Sequence, residues 1–550
     1  MANKSLLQQH RANYQPKLPE TLKKKVSVIK GEPTESVDNQ EEIKQLFPFT
    51  YGLPQLTFEN ATDSDIPSNP FNVGVILSGG QAPGGHNVIC GLFDGIKSLN
   101  KENRLYGFLM GPDGLINHKY KELTSEIIDE YRNTGGFDII GSGRTKLDKE
   151  EQFEKGRVIL EKLNISALVI IGGDDSNTNA AVLAEYYKAH NVPVQVIGCP
   201  KTIDGDLKNE FIETSFGFDT ATKVYSEVIG NIERDCNSAK KYWHFIKLMG
   251  RSASHIALEC ALQTQPNYCI ISEEVEKENK TLNDIVNDIA NLIAARAAQG
   301  DNYGIILIPE GLIEFIPAVK KLISQLNELL ANKVNFGRLF PDERREFVLT
   351  HLDPDNAQVF MRLPLGVARQ LTLDRDPHGN VQLSLVETEK LLSEMVGKRL
   401  SEMKEEGKYV GKFSALHHFF GYEGRCAAPS NFDADYCYAL GYNAAQLINS
   451  GASGYMSSIL NLTKPSAQWI PCGIPITMMM NIERRNGKDK PVIKKALVDL
   501  EGKPFKKFAE QRDNWAMNTC YTYPGPIQYF GPSEVCDQPS RTLFYEQGGE

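Results

Sequence analysis

No stretch of this chain approaches the roughly 20 consecutive apolar residues that a membrane-spanning helix needs. Met1 to Val26 carries Lys and Arg without the apolar core of a secretory signal. Tryptophan is scarce, at 3 residues, and the ten cysteines (90, 199, 236, 260, 269, 426, 437, 472, 520, 536) include no C-x-x-C pair. At this density a disulfide framework or a structural zinc site is not expected, and the thiols read as reduced and cytosolic. A basic surplus is also missing. With 60 Lys and Arg against 70 Asp and Glu, the formal net charge is −10, which argues against a non-specific nucleic-acid binder. It leaves an anionic small substrate open, because a local cluster of Arg, Lys and backbone N–H groups can override the global charge. There is no short-period repeat and no low-complexity tract.

What is present is an ordinary folded composition, 41% apolar and 24% charged. At about 150 residues per domain, 550 residues suggest three or four units, or fewer with insertions. Residues 1–70 read as a polar arm punctuated by Pro16, Pro19, Pro33, Pro48, Pro54, Pro67 and Pro70, with room for a short helix at Pro19–Val26. From Phe71 the texture changes to short β-branched runs that end in glycine or proline and lead into helix-like stretches. These are Val73–Leu77, Ala167–Ile171, Val194–Ile197, Phe245–Leu248 and Ile305–Ile308. Near-continuous apolar strands alternating with helices predict an α/β fold with a mostly parallel sheet covered on both faces. In such sheets ligands bind at the carboxyl ends of the strands. Between about 311 and 420, Phe315–Asn332 and Glu387–Lys404 have helical apolar spacing, with Leu391, Met395, Val396, Leu400 and Met403 on one face. Packing on the body is the expected use of that face, with partner docking as the alternative. The tail Asn514–Gly549, rich in Tyr, Pro and Gly, reads as irregular.

Four strand ends carry residues suited to anion chemistry. Ser78-Gly79-Gly80-Gln81-Ala82-Pro83-Gly84-Gly85-His86-Asn87 follows a strand and opens a helix, so its backbone N–H groups can meet a phosphate. It is neither a Walker A loop nor a GxGxxG fingerprint, and a tight structural turn is the competing reading. Gly141-Ser142-Gly143-Arg144 offers a guanidinium fork, or merely a surface Arg. Gly172-Gly173-Asp174-Asp175-Ser176-Asn177 places adjacent carboxylates at a strand end, which suits a hard cation such as Mg2+ shared with substrate oxygens; an Asp N-cap is the alternative. Pro200-Lys201-Thr202-Ile203-Asp204-Gly205-Asp206-Leu207 brings a cation, a hydroxyl and two carboxylates together, as phosphoryl transfer requires.

With these segments in this order, the chain resembles the phosphofructokinase family. Met249-Gly250-Arg251, Pro309-Glu310-Gly311 and Gly421-Tyr422-Glu423-Gly424-Arg425 extend the match over roughly 71–475. It is most similar to the long, pyrophosphate-dependent branch. ATP-using relatives generally read GGDG where this chain has Gly172-Gly173-Asp174-Asp175, and carry Gly where it has Lys201. Asp175 would repel and crowd the α-phosphate of ATP, whereas pyrophosphate ends before that point.

The resemblance implies two interleaved Rossmann-like three-layer lobes with a helical insertion at about 311–420. It divides the chain into the arm 1–70, a pyrophosphate and Mg2+ lobe of 71–215 plus 425–475, and a fructose 6-phosphate lobe of 216–424 plus 476–550. It implies a reversible, Mg2+-dependent glycolytic transfer from pyrophosphate to fructose 6-phosphate in a cytoplasmic homodimer with shared active sites, and no nucleic-acid or membrane partner. The catalytic set would be Asp204 as base, Asp206 as its support, Lys201 and Asp175. Asp174 would hold Mg2+, and Gly80, Arg144 and Lys201 the pyrophosphate. Thr202, Ile203, Asp204, Met249, Gly250, Arg251, Glu310, Tyr422, Glu423, Gly424 and Arg425 would hold the sugar phosphate, with Lys241 and Tyr242 reaching a neighbouring subunit's site. His86 is left without a role. An ATP-dependent 6-phosphofructokinase is the alternative activity, and a catalytically silent regulatory subunit the alternative from another class. A silent chain would be free to lose Asp174, Asp204 and Asp206, and all are present.

Overall fold

Strands form where apolar residues leave no face for water, and their alternation assigns successive side chains to opposite cores. The computed structural model describes residues 4–61, 69–331, 339–373, 381, 385–485 and 488–549. In chain order the strands are β1 (Val26–Pro33), β2 (Pro54–Asn60), β3 (Asn72–Leu77), β4 (Arg104–Phe108), β5 (Tyr120–Glu122), β6 (Ile165–Gly172), β7 (Gln195–Pro200), β8 (Trp243–Leu248), β9 (Tyr268–Cys269), β10 (Gly304–Pro309), β11 (Ala415–Phe420), β12 (Tyr455–Leu460), β13 (Ile470–Pro475), β14 (Met480–Arg485) and β15 (Lys488–Ile493). They build a nine-stranded sheet ordered β1-β2-β13-β12-β7-β6-β3-β4-β5, a four-stranded sheet ordered β11-β8-β10-β9, and the hairpin β14–β15. The centre of the large sheet is parallel, from β12 through β7, β6 and β3 to β4, and the small sheet is parallel throughout. All five strands expected from the apolar runs are present.

The cores follow the alternation. Val73, Val75 and Leu77 of β3 and Ala167, Val169 and Ile171 of β6 face the helices Gly85–Leu99 and Asn431–Asn449. Ile76, Leu168 and Ile170 face the opposite core, with Phe153, Leu160, Ala180 and Leu183 from Glu150–Lys162 and Asp174–Ala189. The first core runs on to Ile246, Leu248, Ile305 and Leu307, so it joins the large sheet to the small one. On the other face of the small sheet, Trp243, Phe245, Ile306 and Ile308 pack with Leu391, Leu392, Val396, Leu400 and Met403. The helix Thr388–Glu405 therefore covers a sheet, as its apolar face predicts, and Pro317–Ala331 confirms the other expected helix. Asn332, at that helix's expected end, lies outside the described residues, as does Pro67.

Within the expected polar arm of residues 1–70, the described residues join the body of the fold. The expected helix at 19–26 is a single 3-10 turn, Glu20–Lys23, which leads into β1; β1 and β2 then extend the large sheet by antiparallel pairing on β13. Leu22 and Val26 are buried there, and buried Arg11 donates to Asn431 Oδ1 at 2.7 Å and to the Pro429 carbonyl at 2.9 Å. Exposed polar positions along β1 hide the strand signal, as is usual at a sheet edge. The tail is likewise more regular than expected. The helix Lys503–Met517 runs into it, and the short helices Ser533–Cys536 and Arg541–Glu546 follow.

Candidate active site

The carboxyl ends of β3, β6, β7, β8 and β10 open on one cleft of about 230 Å3. Its walls include Gly80, Arg144, Asp174, Asp175, Lys201, Thr202, Ile203, Asp204, Asp206, Met249, Arg251, Glu310, Tyr422 and Arg425. Residues more than 340 positions apart thus meet because two parallel sheets end at the same place.

Each wall has a local reason. Gly79 has φ +86°, a conformation that L side chains rarely adopt, and its N–H donates to the Gly143 carbonyl at 2.9 Å, so the first and second loops are tied together. At Gly80 a Cβ would stand 3.1 Å from Arg425 Nη1, so the missing side chain lets the guanidinium approach. Gly173 is the N-cap of Asp174–Ala189, and the Asn177 amide donates back to the Gly172 carbonyl at 2.6 Å and the Gly173 carbonyl at 3.0 Å. Neither aspartate is therefore the cap. Asp174 and Asp175 occupy the first turn, where the helix dipole favours negative charge. On the fourth loop the Asp204 N–H donates to Thr202 Oγ1 at 3.1 Å.

Burial dominates the electrostatics. Lys201, 7% exposed, is lowered to about 8, first by desolvation and then by Arg425, against the pull of Asp204, Asp174 and Asp206. Asp206 is raised to about 7 by burial and by Asp204, with Lys495 opposing. Glu310 is raised by burial, although its Oε2 accepts the Gly250 N–H at 2.9 Å.

Several expected ligands stand outside the cleft wall. Gly250 acts through that bond to Glu310. Glu423 Oε1 accepts its own loop's Gly421 N–H at 2.9 Å, and Gly424 packs on the Tyr225 ring, where a Cβ would lie 2.6 Å away. Lys241 and Tyr242 precede β8 and so sit at the end of that strand away from the cleft, roughly 20 Å along it. His86 is fully buried; its Nδ1 lies 2.6 Å from Thr134 Oγ1 and its Nε2 accepts the Ile139 N–H at 3.3 Å, so it braces the loop interior.

The structure adds Lys146, Asn179, Ser252 and Lys495 to the cleft. Asn179 lies one helical turn beyond Asp175 and was legible from that spacing. Lys495 had no signal: it follows β15 in a polar stretch, and only the fold carries it to Asp174 and Asp206.

Among the described residues no group of three or more His, Cys, Asp or Glu forms a metal cage. Two carboxylates nevertheless converge, since Lys495 Nζ lies 3.5 Å from Asp174 Oδ2 and 3.8 Å from Asp206 Oδ2. A hard oxygen-seeking cation such as Mg2+ is typically held by one or two carboxylates, with substrate phosphates and water completing its shell, and this donor set fits that pattern.

A double-sheet α/β molecule whose glycine loops, cationic side chains and carboxylates meet at shared strand ends has the parts that phosphoryl-group transfer uses. The phosphofructokinase family model matches residues 72–354, and the chain belongs to that family. It is 62% identical to the pyrophosphate–fructose 6-phosphate 1-phosphotransferase of Porphyromonas gingivalis, over 99% of each chain. Against the enzyme of the same name from Treponema pallidum it is 54% identical, over 99% of this chain and 97% of that one. The crystal structure of pyrophosphate-dependent phosphofructokinase from Marinobacter aquaeolei shares the fold at TM-score 0.52 and 15% identity, covering 84% of this chain and 95% of that one.

Proposed function

We propose that this chain transfers a phosphoryl group reversibly from pyrophosphate to fructose 6-phosphate, giving fructose 1,6-bisphosphate and phosphate. The observation that carries the reading is that Asp175 and Lys201 line the same cleft as Asp204. In this reading the Asp175 carboxylate would stand where a longer nucleotide donor continues, and the buried Lys201 ammonium where a short anionic donor ends.

In this reading Asp204 takes the proton of the sugar 1-hydroxyl as its oxygen bonds to the transferred phosphorus and the bridging P–O bond breaks. The charge left on the departing phosphate is met by Lys201 and Arg144. Asp206 supports the charge and position of Asp204. Thr202, Met249, Arg251, Glu310, Tyr422 and Arg425 orient the sugar phosphate, with Gly250 holding Glu310 in place. Asp174, with Asp206 close by, would hold Mg2+, which supplies neutralisation of the pyrophosphate oxygens. Catalysis is then mainly positioning and electrostatics.

We further assign the pyrophosphate lobe to 71–215 plus 425–475 and the sugar lobe to 216–424 plus 476–550. The enzyme would be a cytoplasmic homodimer serving glycolysis. The position of Lys241 and Tyr242, at the far end of β8, supports their serving a second copy's cleft. Among the described residues no helix is long and apolar enough to cross a membrane.

Initial rates with Mg2+, fructose 6-phosphate and either pyrophosphate or ATP test the donor assignment. Turnover with pyrophosphate and none with ATP is expected; the reverse would sink it.

A further inference from the structure

Lys495 is mounted too firmly to be an incidental surface lysine. The N–H of the preceding Lys494 donates to the Met479 carbonyl at 2.9 Å, and that of the following Ala496 donates to the Asp206 carbonyl at 2.8 Å. The Ala496 carbonyl is itself held by His255 Nε2 at 2.9 Å. The backbone on both sides is thus pinned, on one side to the loop that bears Asp206. The hairpin β14–β15 that delivers it rests on the helix Asp174–Ala189, where the Ile493 N–H donates to Thr178 Oγ1 at 3.2 Å.

From this mount the ammonium reaches three strand-end loops. It lies 3.5 Å from Asp174, 3.8 Å from Asp206, and donates to Ser252 Oγ at 2.8 Å. Ser252 follows β8 of the small sheet, whereas the aspartates follow strands of the large one. A positive charge therefore stands beside the carboxylates assigned to the metal and its neighbourhood, partly open to the cleft at 27% side-chain exposure.

We propose that Lys495 is a pyrophosphate-binding residue. In the empty cleft its ammonium neutralises Asp174 and Asp206. When the donor enters, with Mg2+ satisfying the carboxylates, the same ammonium transfers its hydrogen bonds to pyrophosphate oxygens. The hairpin β14–β15 is then a functional element of the donor site, and the loop Asp204–Asp206 and the donor are held by adjoining residues of one pinned segment. No bond is made or broken in this step; one set of ion pairs replaces another.

The inference rests on the reading of Asp174 as the metal-side carboxylate, and the test separates the two. Lys495→Met keeps most of the side chain's length and removes its charge. Calorimetric titration of Mg2+–pyrophosphate into the folded variant should show Kd raised at least about tenfold, as for loss of a charge-assisted bond. In steady state, KM for pyrophosphate should rise in parallel while KM for fructose 6-phosphate stays within about threefold. With Mg2+ alone, the variant should saturate at lower metal concentration in thermal shift, because the Lys495 ammonium no longer competes for the carboxylates. Lys495→Arg should restore pyrophosphate affinity in part. Unchanged pyrophosphate affinity, or equal losses for both substrates, would overturn the proposal. If Lys495→Met fails to fold, Lys495→Gln takes its place in the same measurements. Should Asp174→Asn leave Mg2+ dependence unaltered, the metal-side reading fails; should only the Lys495 variants behave as wild type, that reading stands and the inference alone fails.

Discussion

Asp206 and Asp433 are alike in burial and in having a second aspartate beside them. Each is raised to about 7, first by desolvation and then by its neighbour, Asp204 in one case and Asp219 in the other. Their surroundings differ. Asp433 sits where the helices Phe218–Ala239 and Asn431–Asn449 begin, and it accepts from the Gly217 N–H at 3.2 Å, the Thr220 N–H at 2.9 Å and the Thr220 hydroxyl at 2.5 Å. Its partner Asp219 takes the Ser430 hydroxyl at 2.6 Å and Lys223 at 2.7 Å. Asp206 instead faces a cleft and the Lys495 ammonium at 3.8 Å. A perturbed carboxylate by itself thus does not separate a reaction centre from scaffold. The distinction lies in whether fixed donors already satisfy it and whether a substrate can reach it.

That contrast breaks most sharply on turnover. Asp204→Asn keeps the shape of the side chain and removes the base, so turnover should fall by about 10² to 10⁴-fold with sugar-phosphate affinity within a few fold. Asp433→Asn, measured on the folded enzyme in the same assay, should leave turnover within about threefold. Retained turnover in the first variant would remove Asp204 from its role. A collapse in the second would mean that the helix junction is coupled to the chemistry.

Stability should order the two aspartates the other way. Asp433→Ala leaves the Gly217 and Thr220 N–H groups buried without that acceptor and the Thr220 hydroxyl with only its 3.4 Å contact to Ser430 Oγ, a loss of about 2 to 4 kcal/mol. Asp206→Ala removes a buried carboxylate that Asp204 already repels, so its denaturation midpoint should move little or rise. Equal destabilisation of both variants would erase the distinction between donor-saturated and cleft-facing acids.

Legibility in the sequence follows the same division. The strand ends of the cleft were readable because each requirement there is local: glycine where the backbone must turn left-handed at Gly79 or admit Arg425 at Gly80, and charges within a few residues of an apolar run. Asp219 and Asp433 are 214 positions apart, and nothing near either one announces the other. Lys495 was illegible for a related reason, since its place depends on hairpin pairing and on the Asp206 carbonyl rather than on any neighbouring residue. The edge strand β1 and its neighbour β2 escaped because half-exposed, proline-flanked segments lack the apolar run that marked the central strands.

His255 sharpens the comparison from between the two regions. It supports the cleft wall through the Ala496 carbonyl, yet it is 8% exposed and makes a scaffold bond. Burial and the nearby Lys208 lower it to about 4, so it is neutral in the folded protein, with the proton on Nε2 directed at that carbonyl. An unfolded histidine titrates near 6.5. Between pH 6.5 and 4 the unfolded chain therefore binds more protons, and stability rises with pH. The contribution is complete above pH 6.5 and is lost as pH falls toward 4, on the order of 3 kcal/mol at the limit. His255→Gln keeps a donor for the carbonyl and removes the titration. Urea midpoints at pH 5 and 7 should then differ less in the variant than in the wild type, while the pyrophosphate KM at pH 7 stays within about twofold. A variant with the same pH slope would assign the acid sensitivity to other groups. A raised pyrophosphate KM at pH 7 would move His255 from scaffold to site, showing that the pinning of Ala496 sets the reach of Lys495.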